Sequence, residues 1–223
     1  TLAVAAVPET LSLIVTLSLS HGVNNMVGKN ALIRKLPAVE TLGNTSVICS
    51  DKTGTLTQNR MAIKRLCLSE GEPVKDTSDF SEEQTVFLKM LASASNAVVQ
   101  EDEEGNIQYI GDATETAIMR LLNEKGMDKA AVETEYPRVA EIPFSSERKM
   151  MTVLVKDPKG GYTVLTKGAL DRIPFGQGSA EEIEHIRKLH DRFAEDALRV
   201  IALGMKHIDV LPGEDELETV EKD

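Results

Sequence analysis

The sequence predicts an α+β fold for most of the chain, and three observations support that prediction. Helix-capping residues at Ser81, Asp112 and Ser179 each precede apolar residues at helical spacing. Residues 150–156 and 162–167 have the composition of two strands joined by a turn, which predicts a hairpin. Helices and hairpins follow one another without a regular βαβ repeat, and this favours an antiparallel sheet with flanking helices.

The N-terminal part of the chain is predicted to be helix followed by strand. A helix is expected in the apolar N-terminal stretch, and the apolar stretch Ser46–Cys49 is expected to be a short buried strand. Residues 61–68 are predicted to form a further strand, and residues 71–80 a polar loop.

The three capped helices have apolar positions that predict which face each one buries. Residues 100–106 are expected to be an acidic turn, Gly126 to follow the end of the second helix, and residues 199–208 to form a last strand. The predicted apolar faces are Phe87, Leu91, Ala94 and Val98; then Ala117, Ile118, Leu121 and Leu122; then Ile183, Ile186, Phe193 and Ala197.

Composition and charge exclude some classes of partner. The chain has 223 residues, 41% of them hydrophobic and 27% charged, which is enough for one large or two small globular domains. Its net charge of −11 is concentrated after residue 65, and an acidic block of this kind argues against nucleic acid as a partner. Two cysteines, Cys49 and Cys67, provide no disulfide framework and fit a reducing compartment.

The stretch Cys49-Ser-Asp-Lys-Thr-Gly-Thr-Leu-Thr57 indicates phosphoryl chemistry. Asp51 follows an apolar segment, and a carboxylate at the carboxyl end of a strand can attack a phosphoryl group and form an aspartyl-phosphate. Attacking and attacked groups are both anionic, so a Mg²⁺ ion is expected. Lys52, the backbone N–H groups and the hydroxyls of Thr53 and Thr55 are expected to hold the incoming oxygens. The alternative is an ordinary Asp-Lys-Thr-Gly turn.

Residues 2–19 are almost wholly apolar or small, with no Lys or Arg. Their length is at the short end for a membrane span. Basic residues from Lys29 onward place that end in the cytoplasm. Pro8 frees helix carbonyls, and a carboxylate such as Glu9 at membrane depth is usually functional. The alternative is a buried amphipathic helix with a proline kink.

A second group of residues has ordinary explanations when each is taken alone. Glu115 occupies the capping-box position after Asp112, and Phe144 suits a core aromatic. Lys167 with Gly168 suits a strand end with a solvated lysine, and Arg199 suits a surface charge.

Taken together and in this order, the motifs resemble those of P-type ATPases, the ion pumps, from Val4 to about Ile208. The segment that resembles the phosphorylation motif is Ser50-Asp-Lys-Thr-Gly-Thr-Leu-Thr57. The segment that resembles the ion-binding turn is Val4-Ala-Ala-Val-Pro-Glu9, and residues 30–43 resemble the link that leads into the phosphorylation domain. The nucleotide-domain motifs are Gly111-Asp-Ala-Thr-Glu-Thr-Ala117, Pro143-Phe-Ser-Ser-Glu-Arg-Lys149, Lys167-Gly-Ala169 and Leu198-Arg-Val-Ile-Ala-Leu203.

The resemblance implies that Asp51 is phosphorylated and that Thr53 helps to hold Mg²⁺ through its main-chain carbonyl. Related phosphatases of the haloacid dehalogenase-like class carry a second Asp at the position of Thr53. Its replacement by threonine favours a lasting phosphoenzyme over a simple phosphatase.

The resemblance also implies an ATP pocket. Phe144 would stack on adenine, Glu115 beside Thr114 would accept the adenine amino group, Lys167 with Gly168 would line the pocket, and Arg199 would reach the phosphates. A π face, a carboxylate and cations suit the base, its exocyclic amine and the phosphates respectively. The family often has a basic residue at the position of Ser146, so Arg148 and Lys149 both remain candidates for the α- and β-phosphates.

The transported ion is assigned by the same resemblance. Glu9 and the main-chain carbonyls of Val4, Ala5 and Val7 would hold it, and a calcium-type pump of a bacterial plasma membrane is implied. Another cation (Na⁺, Mn²⁺ or H⁺) and a stand-alone nucleotide-binding or regulatory module without turnover are the alternatives.

Four segments are therefore expected. They are the end of a membrane helix, which continues as a stalk through about Lys29 (1–29), the first part of an α/β haloacid dehalogenase-like phosphorylation domain (30–60), the nucleotide-binding domain (61–210) and an acidic tail (211–223). Residues 1–20 would contact the membrane, and the chain would be cytoplasmic after about residue 21. The remaining pump domains would be partners, and this segment alone is expected not to turn over ATP.

Overall fold

The computed structural model describes residues 10–69, 73–74, 80–176, 178–213 and 216–221. The chain divides into two compact units, Thr1–Gln58 and Asn59–Asp223.

The described residues of the first unit form two helices and one compact turn. Helix α1 spans Leu11–Val27, which agrees with the expected stalk, and helix α2 spans Pro37–Gly43 with its proline in the first turn. The turn spans Lys52–Leu56. None of these three elements contains a buried residue.

The predicted buried strand at residues 46–49 is wrong. Residues 45–50 have no regular secondary structure, and Val47 and Ile48 are 73% and 85% exposed. A strand needs a neighbour to pair its backbone groups. Both sheets in the described part of the chain belong to the second unit.

No helix among the described residues is long and apolar enough to cross a membrane. Residues 1–9, with the predicted ion-binding turn, lie outside the described residues. The predicted membrane segment therefore stays a prediction.

The second unit is α+β, as the sequence predicts. Its helices are α3 (Glu82–Ser93), α4 (Ala113–Glu124), α5 (Lys129–Glu135), α6 (Ala180–Glu195) and α7 (Leu217–Val220). Its strands are β1 (Val98–Glu101), β2 (Ile107–Ile110), β3 (Arg138–Ser145), β4 (Met150–Lys156), β5 (Tyr162–Gly168) and β6 (Ala202–Ile208).

The strands form two antiparallel sheets. Strands β1 and β2 make a two-stranded sheet, and β3-β4-β5-β6 make a four-stranded sheet in chain order. The central strands β4 and β5 are buried over most of their length, which explains their run of β-branched and other apolar residues.

Helix α3 connects two hydrophobic cores. Leu88 and Ala92 pack with residues of α4 and α5 such as Leu122. Met90 of the same helix and Ala94, which follows its last residue, belong to the second core. They pack against the sheet residues Met151, Val153, Val155 and Leu165. Residues two apart along a strand share a face, so β4 presents one continuous apolar stripe to the helix.

The local capping predictions are confirmed. Ser81 and Gln84 form a reciprocal capping box, as do Ser179 and Glu182, and Gly126 adopts a positive φ of 70° just beyond α4.

Several predicted boundaries are wrong. The strand predicted over 61–68 reduces to a single bridge between Leu66 and Val74. Val98, predicted on the face of the first helix, lies in β1, and Ala197 lies beyond α6 with a φ of 56°. The last strand begins at Ala202, three residues later than predicted. Most of the predicted loop at 71–80 lies outside the described residues.

Several described elements were not predicted. They are the β1–β2 hairpin, strand β3 and the short helices α2, α5 and α7.

Candidate functional site

Glu115 lies in the first turn of α4 but does not form the capping box that its position suggests. Asp112 caps the helix by accepting the Thr114 N–H at 2.8 Å. The Glu115 carboxylate instead accepts the Asn96 N–H at 3.1 Å through Oε2 and the Lys167 ammonium at 2.6 Å through Oε1. The helix start therefore directs a carboxylate toward the end of the four-stranded sheet.

Lys167 is a buried lysine, so the solvated strand-end alternative is wrong. Its side chain is only 7% exposed, and it forms a salt bridge with Glu115. Burial lowers the pKa of Lys167, and the nearby Arg138 lowers it further, whereas Glu115 and Asp112 act in the opposite direction. Pairing with the carboxylate compensates for part of the unfavourable burial of the ammonium.

Phe144 is 60% exposed, so the core-aromatic alternative is also wrong. In the register of β3 and β4, Ile142 lies opposite Thr152 and Ser145 opposite Met150, with an irregularity between them. Pro143 and Phe144 thus occupy the bulge opposite Met151, and Met151 pairs with Lys167 on β5. Two strand spacings, about 10 Å, separate the backbones at Phe144 and Lys167. The exposed ring and the buried ion pair lie at the same end of one sheet.

The turn between β3 and β4 passes directly over Gly168. Lys149 has a φ of 57°, donates its N–H to Ser145 O at 2.7 Å and accepts the Ala169 N–H at 3.1 Å. A Cβ on Gly168 would lie 2.5 Å from Lys149 O and 2.7 Å from Met150 Cα. These contacts are with backbone, so only glycine allows the turn to approach β5 this closely.

Arg148 and Lys149 have different environments in this turn. The Arg148 guanidinium donates to both carboxylate oxygens of Glu221 at 2.6 and 2.7 Å and to Pro143 O at 2.6 Å. Glu221 is only 8% exposed, whereas Lys149 is exposed. Arg148 is therefore occupied within the fold, and Lys149 presents its side chain to solvent.

Thr114 and Arg199 lie near the beginning of α4. The Thr114 side chain is half-buried, with Oγ1 at 3.7 Å from Met61 Sδ. The pKa of Asp112 is lowered chiefly by the Thr114 N–H, and the positive charge of Arg199 lowers it too. The exposed Arg199 is thus close enough to this helix start to act on it electrostatically.

The residues of the predicted phosphorylation motif lie in the first unit. Asp51, Lys52, Thr53 and Thr55 are all exposed, and Gly54 has a φ of 78°. The Thr57 N–H closes the turn by donating to Lys52 O at 3.1 Å. Glu9, Val4, Ala5 and Val7 lie outside the described residues, and no cluster of three or more His, Cys, Asp or Glu suited to a metal is present in the part of the chain that is described.

The sequence did not reveal a polar network behind Glu115. Arg138 donates to Asn96 Oδ1 at 2.7 Å, to Glu141 Oε2 at 2.8 Å and to Ser93 O at 2.7 Å. Asn96 Nδ2 in turn donates to Glu141 Oε1 at 3.1 Å. Asn96 and Arg138 are 42 residues apart, so no local motif could have linked them.

Fold and site together define a class of protein: an α+β domain with an exposed aromatic ring and a lysine–glutamate ion pair at the same end of an antiparallel sheet. Comparison with known families agrees with this class, because residues 83–174 match the family described as P-type ATPase, cytoplasmic domain N. The resemblance to P-type ATPases seen in the motifs of the chain is thereby confirmed.

The curated relatives that the chain matches include several calcium-transporting ATPases. Over 92% of its length, the chain is 39% identical to a calcium-transporting ATPase of Listeria monocytogenes and 38% identical to calcium-transporting ATPase 1 of Lactococcus lactis. It is 36% identical to the calcium-transporting ATPase of Bacillus subtilis over 93% of its length. The aligned part covers 24%, 24% and 26% of these three proteins, so the chain spans about a quarter of the relatives it matches.

Proposed function

We propose that this chain is the ATP-binding and phosphorylated part of an ATP-driven calcium pump. The observation that carries the proposal is the exposed Phe144 ring at the same sheet end as the buried Glu115–Lys167 pair. The names of the relatives, calcium-transporting ATPases, support the choice of cation.

In this proposal the adenine base binds between an aromatic face and a carboxylate. The Phe144 ring stacks on the base, a contact that needs an exposed π face. Each Glu115 oxygen already accepts one hydrogen bond, which leaves lone pairs for the 6-amino group of adenine. Lys167 holds the Glu115 carboxylate in place through their salt bridge, and Gly168 with Thr114 completes the lining.

The phosphates of the nucleotide need cations that are free to meet them. Lys149 and Arg199 are both exposed and are the candidates we propose. Arg148 was an equal candidate on sequence grounds, but its guanidinium is held by Glu221 and Pro143 O. We therefore place Lys149 ahead of Arg148 for direct phosphate contact.

Phosphoryl transfer is proposed to occur at Asp51. A carboxylate oxygen forms a bond to the γ-phosphorus while the bond from that phosphorus to the bridging oxygen breaks, and ADP leaves. Lys52 and the hydroxyls of Thr53 and Thr55 are exposed beside Asp51 and are proposed to hold the transferred oxygens. Threonine at position 53 supplies no acid or base for rapid hydrolysis, so the phosphoenzyme would persist.

The motif fits Mg²⁺ with two protein oxygens, the Asp51 carboxylate and the Thr53 main-chain carbonyl. Mg²⁺ commonly takes its other ligands from water and substrate phosphates, so two protein ligands suffice. When bound, the ion would lower the repulsion between the carboxylate and the phosphate.

Ion transport is proposed from the N-terminal turn. Glu9 and the main-chain carbonyls of Val4, Ala5 and Val7 would hold the cation in the parent pump, in a bacterial plasma membrane, with the other pump domains as partners. Na⁺, Mn²⁺ and H⁺ are the competing ions, and ion-dependent phosphorylation of the full-length pump distinguishes them.

Titration of ATP into the 223-residue chain, followed by calorimetry, tests the nucleotide site. Phe144→Ala should weaken the binding free energy by about 1–3 kcal/mol, the usual cost of losing one stacked aromatic. Val139→Ala is the matched control, because Val139 is an exposed apolar residue of the same strand. Equal Kd values for Phe144→Ala and the unaltered chain, or no binding at millimolar ATP, would contradict the proposal.

A further inference from the structure

The loop between α3 and β1 is held by two cations that bind its carbonyl groups. Arg138 Nη2 donates to Ser93 O at 2.7 Å and to Ser95 O at 3.2 Å. Lys129 Nζ donates to Ser95 O at 3.1 Å and to Ala97 O at 2.7 Å. Ser93, Ser95 and Ala97 are almost fully buried, so these carbonyls need protein partners.

The peptide group between Ser95 and Asn96 is the centre of this loop. Its carbonyl is the Ser95 O that both cations bind, and its N–H is the one that donates to Glu115 Oε2 at 3.1 Å. A trans peptide is planar, with its C=O and N–H directed to opposite sides, so fixing the carbonyl also fixes the direction of the N–H.

Arg138 holds this peptide at a second point. Its Nη1 donates to Asn96 Oδ1 at 2.7 Å, and Glu141 accepts from both Arg138 and Asn96. One guanidinium therefore contacts the residues on both sides of the peptide that binds Glu115. A planar fork with five donors makes this possible, whereas an ammonium cannot reproduce the geometry.

We infer that Arg138 is a positioning residue which, through the Ser95–Asn96 peptide, orients Glu115 and thereby sets the preference for a base with a 6-amino group. The inference rests on the proposed nucleotide site. Without Arg138, Lys129 is the remaining cation on the Ser95 carbonyl, so the direction of the Asn96 N–H is less firmly fixed. Glu115 is then oriented mainly by Lys167, and its carboxylate shifts from the position where it meets the amino group. Contacts to the ribose, the phosphates and the aromatic ring do not depend on this orientation.

The test compares ATP with inosine triphosphate, which carries an oxygen instead of the amino group, in calorimetric titrations of the 223-residue chain. The unaltered chain should prefer ATP. Arg138→Met should reduce that preference about fivefold, the effect of losing one hydrogen bond, by raising the Kd for ATP while the Kd for inosine triphosphate stays unchanged. Arg138→Lys should restore little of it, because the fork is lost.

A second variant of the loop and a control variant outside it complete the test. Asn96→Ala removes the side-chain contacts with Arg138 and Glu141 at an exposed residue, so it should fold and should reduce the preference in the same direction by a smaller factor. Lys89→Met is the control, since it breaks a 2.7 Å ion pair with Glu135 in the same unit without touching the loop, and it should leave the preference unchanged.

Glu115→Gln separates the two proposals. An amide can donate to the oxygen of inosine, so this variant should lose or reverse the preference for ATP. If the preference survives Glu115→Gln, the proposed role of Glu115 is wrong. If Glu115→Gln removes the preference but Arg138→Met and Asn96→Ala retain it, or if they weaken both nucleotides equally, the positioning role of Arg138 is refuted.

Discussion

The two units of the chain differ in what supports their functional residues. In residues 10–58 no helix or turn buries a side chain, and the Asp51 motif lies in an exposed turn. In the second unit two hydrophobic cores meet at helix α3, and the candidate nucleotide residues lie at the end of the sheet that one core covers. The first unit therefore carries a motif that is recognisable from sequence alone, whereas the second carries a site built by packing.

This contrast teaches that recognisable chemistry and a preorganised site are separate properties. Asp51 is identified by its neighbours along the chain, and nothing about its exposed turn adds to that identification. Glu115 and Lys167 are noticed in the sequence only through the family motifs, and the fold brings them together from 52 residues apart with Lys167 buried. Substitutions in the two units should consequently fail in different ways.

The largest effect is expected from a substitution of Asp51, which should remove phosphoenzyme formation without unfolding the protein. In the full-length pump supplied with Mg²⁺ and ATP, Asp51→Asn should abolish the acid-stable, hydroxylamine-sensitive phosphoenzyme because the anionic nucleophile is gone. ATP affinity should be unchanged or slightly higher, since one negative charge near the phosphates is removed. Glu40→Gln, which removes another exposed carboxylate of the same unit, should leave the phosphoenzyme intact. A phosphoenzyme that persists in Asp51→Asn, or is mapped to another residue, would exclude Asp51 as the nucleophile. Absence of any phosphoenzyme in the unaltered protein would favour a nucleotide-binding module without turnover.

Truncation of an apolar side chain should lower the free energy of unfolding in the second unit but not in the first. Leu154→Ala, at a fully buried position of β4, should lower the free energy of unfolding by about 2–5 kcal/mol because a cavity remains. Ile48→Ala, at a residue that is 85% exposed, should change it by less than about 0.5 kcal/mol. Urea unfolding followed by far-ultraviolet circular dichroism measures both. Similar losses for the two variants would show that Ile48 is packed in the folded chain.

The buried lysine should give a smaller, pH-dependent effect. Burial holds the pKa of Lys167 below its ordinary 10.5, so between the lowered pKa and 10.5 the unfolded chain binds more protons at this residue than the folded one. The contribution of Lys167 to stability therefore rises as the pH increases through that window. Lys167→Met removes this contribution.

The measurement is the free energy of unfolding of both proteins from pH 8 upward. The curve of the unaltered chain should rise relative to that of Lys167→Met as the pH approaches 10.5. Lys156→Met, at an exposed residue that ends β4, should instead run parallel to the unaltered chain. Parallel curves for Lys167→Met would mean that the lysine is solvated in the folded state.

Most of the fold could be predicted where the signal is local. The capping boxes at Ser81 and Ser179 involve residues three apart, and the hairpin around Asp157–Gly161 follows from its turn residues, so both were found. Strand β3 was missed because Pro143 and the bulge interrupt its alternation. The strand expected at 46–49 was predicted from composition alone, which cannot supply the neighbour that a strand needs.

The sequence by itself determined the family, the identity of the candidate nucleophile Asp51 and the start of each capped helix, because all of these depend on residues close together in the chain. Only the tertiary structure decided that Glu115 accepts hydrogen bonds from Asn96 and Lys167 instead of forming a capping box, and that Arg148 binds Glu221. Those partners lie 19, 52 and 73 residues away. A carboxylate or guanidinium takes whichever partner packing brings within hydrogen-bond distance, and that choice is made when the sheet and helices come together.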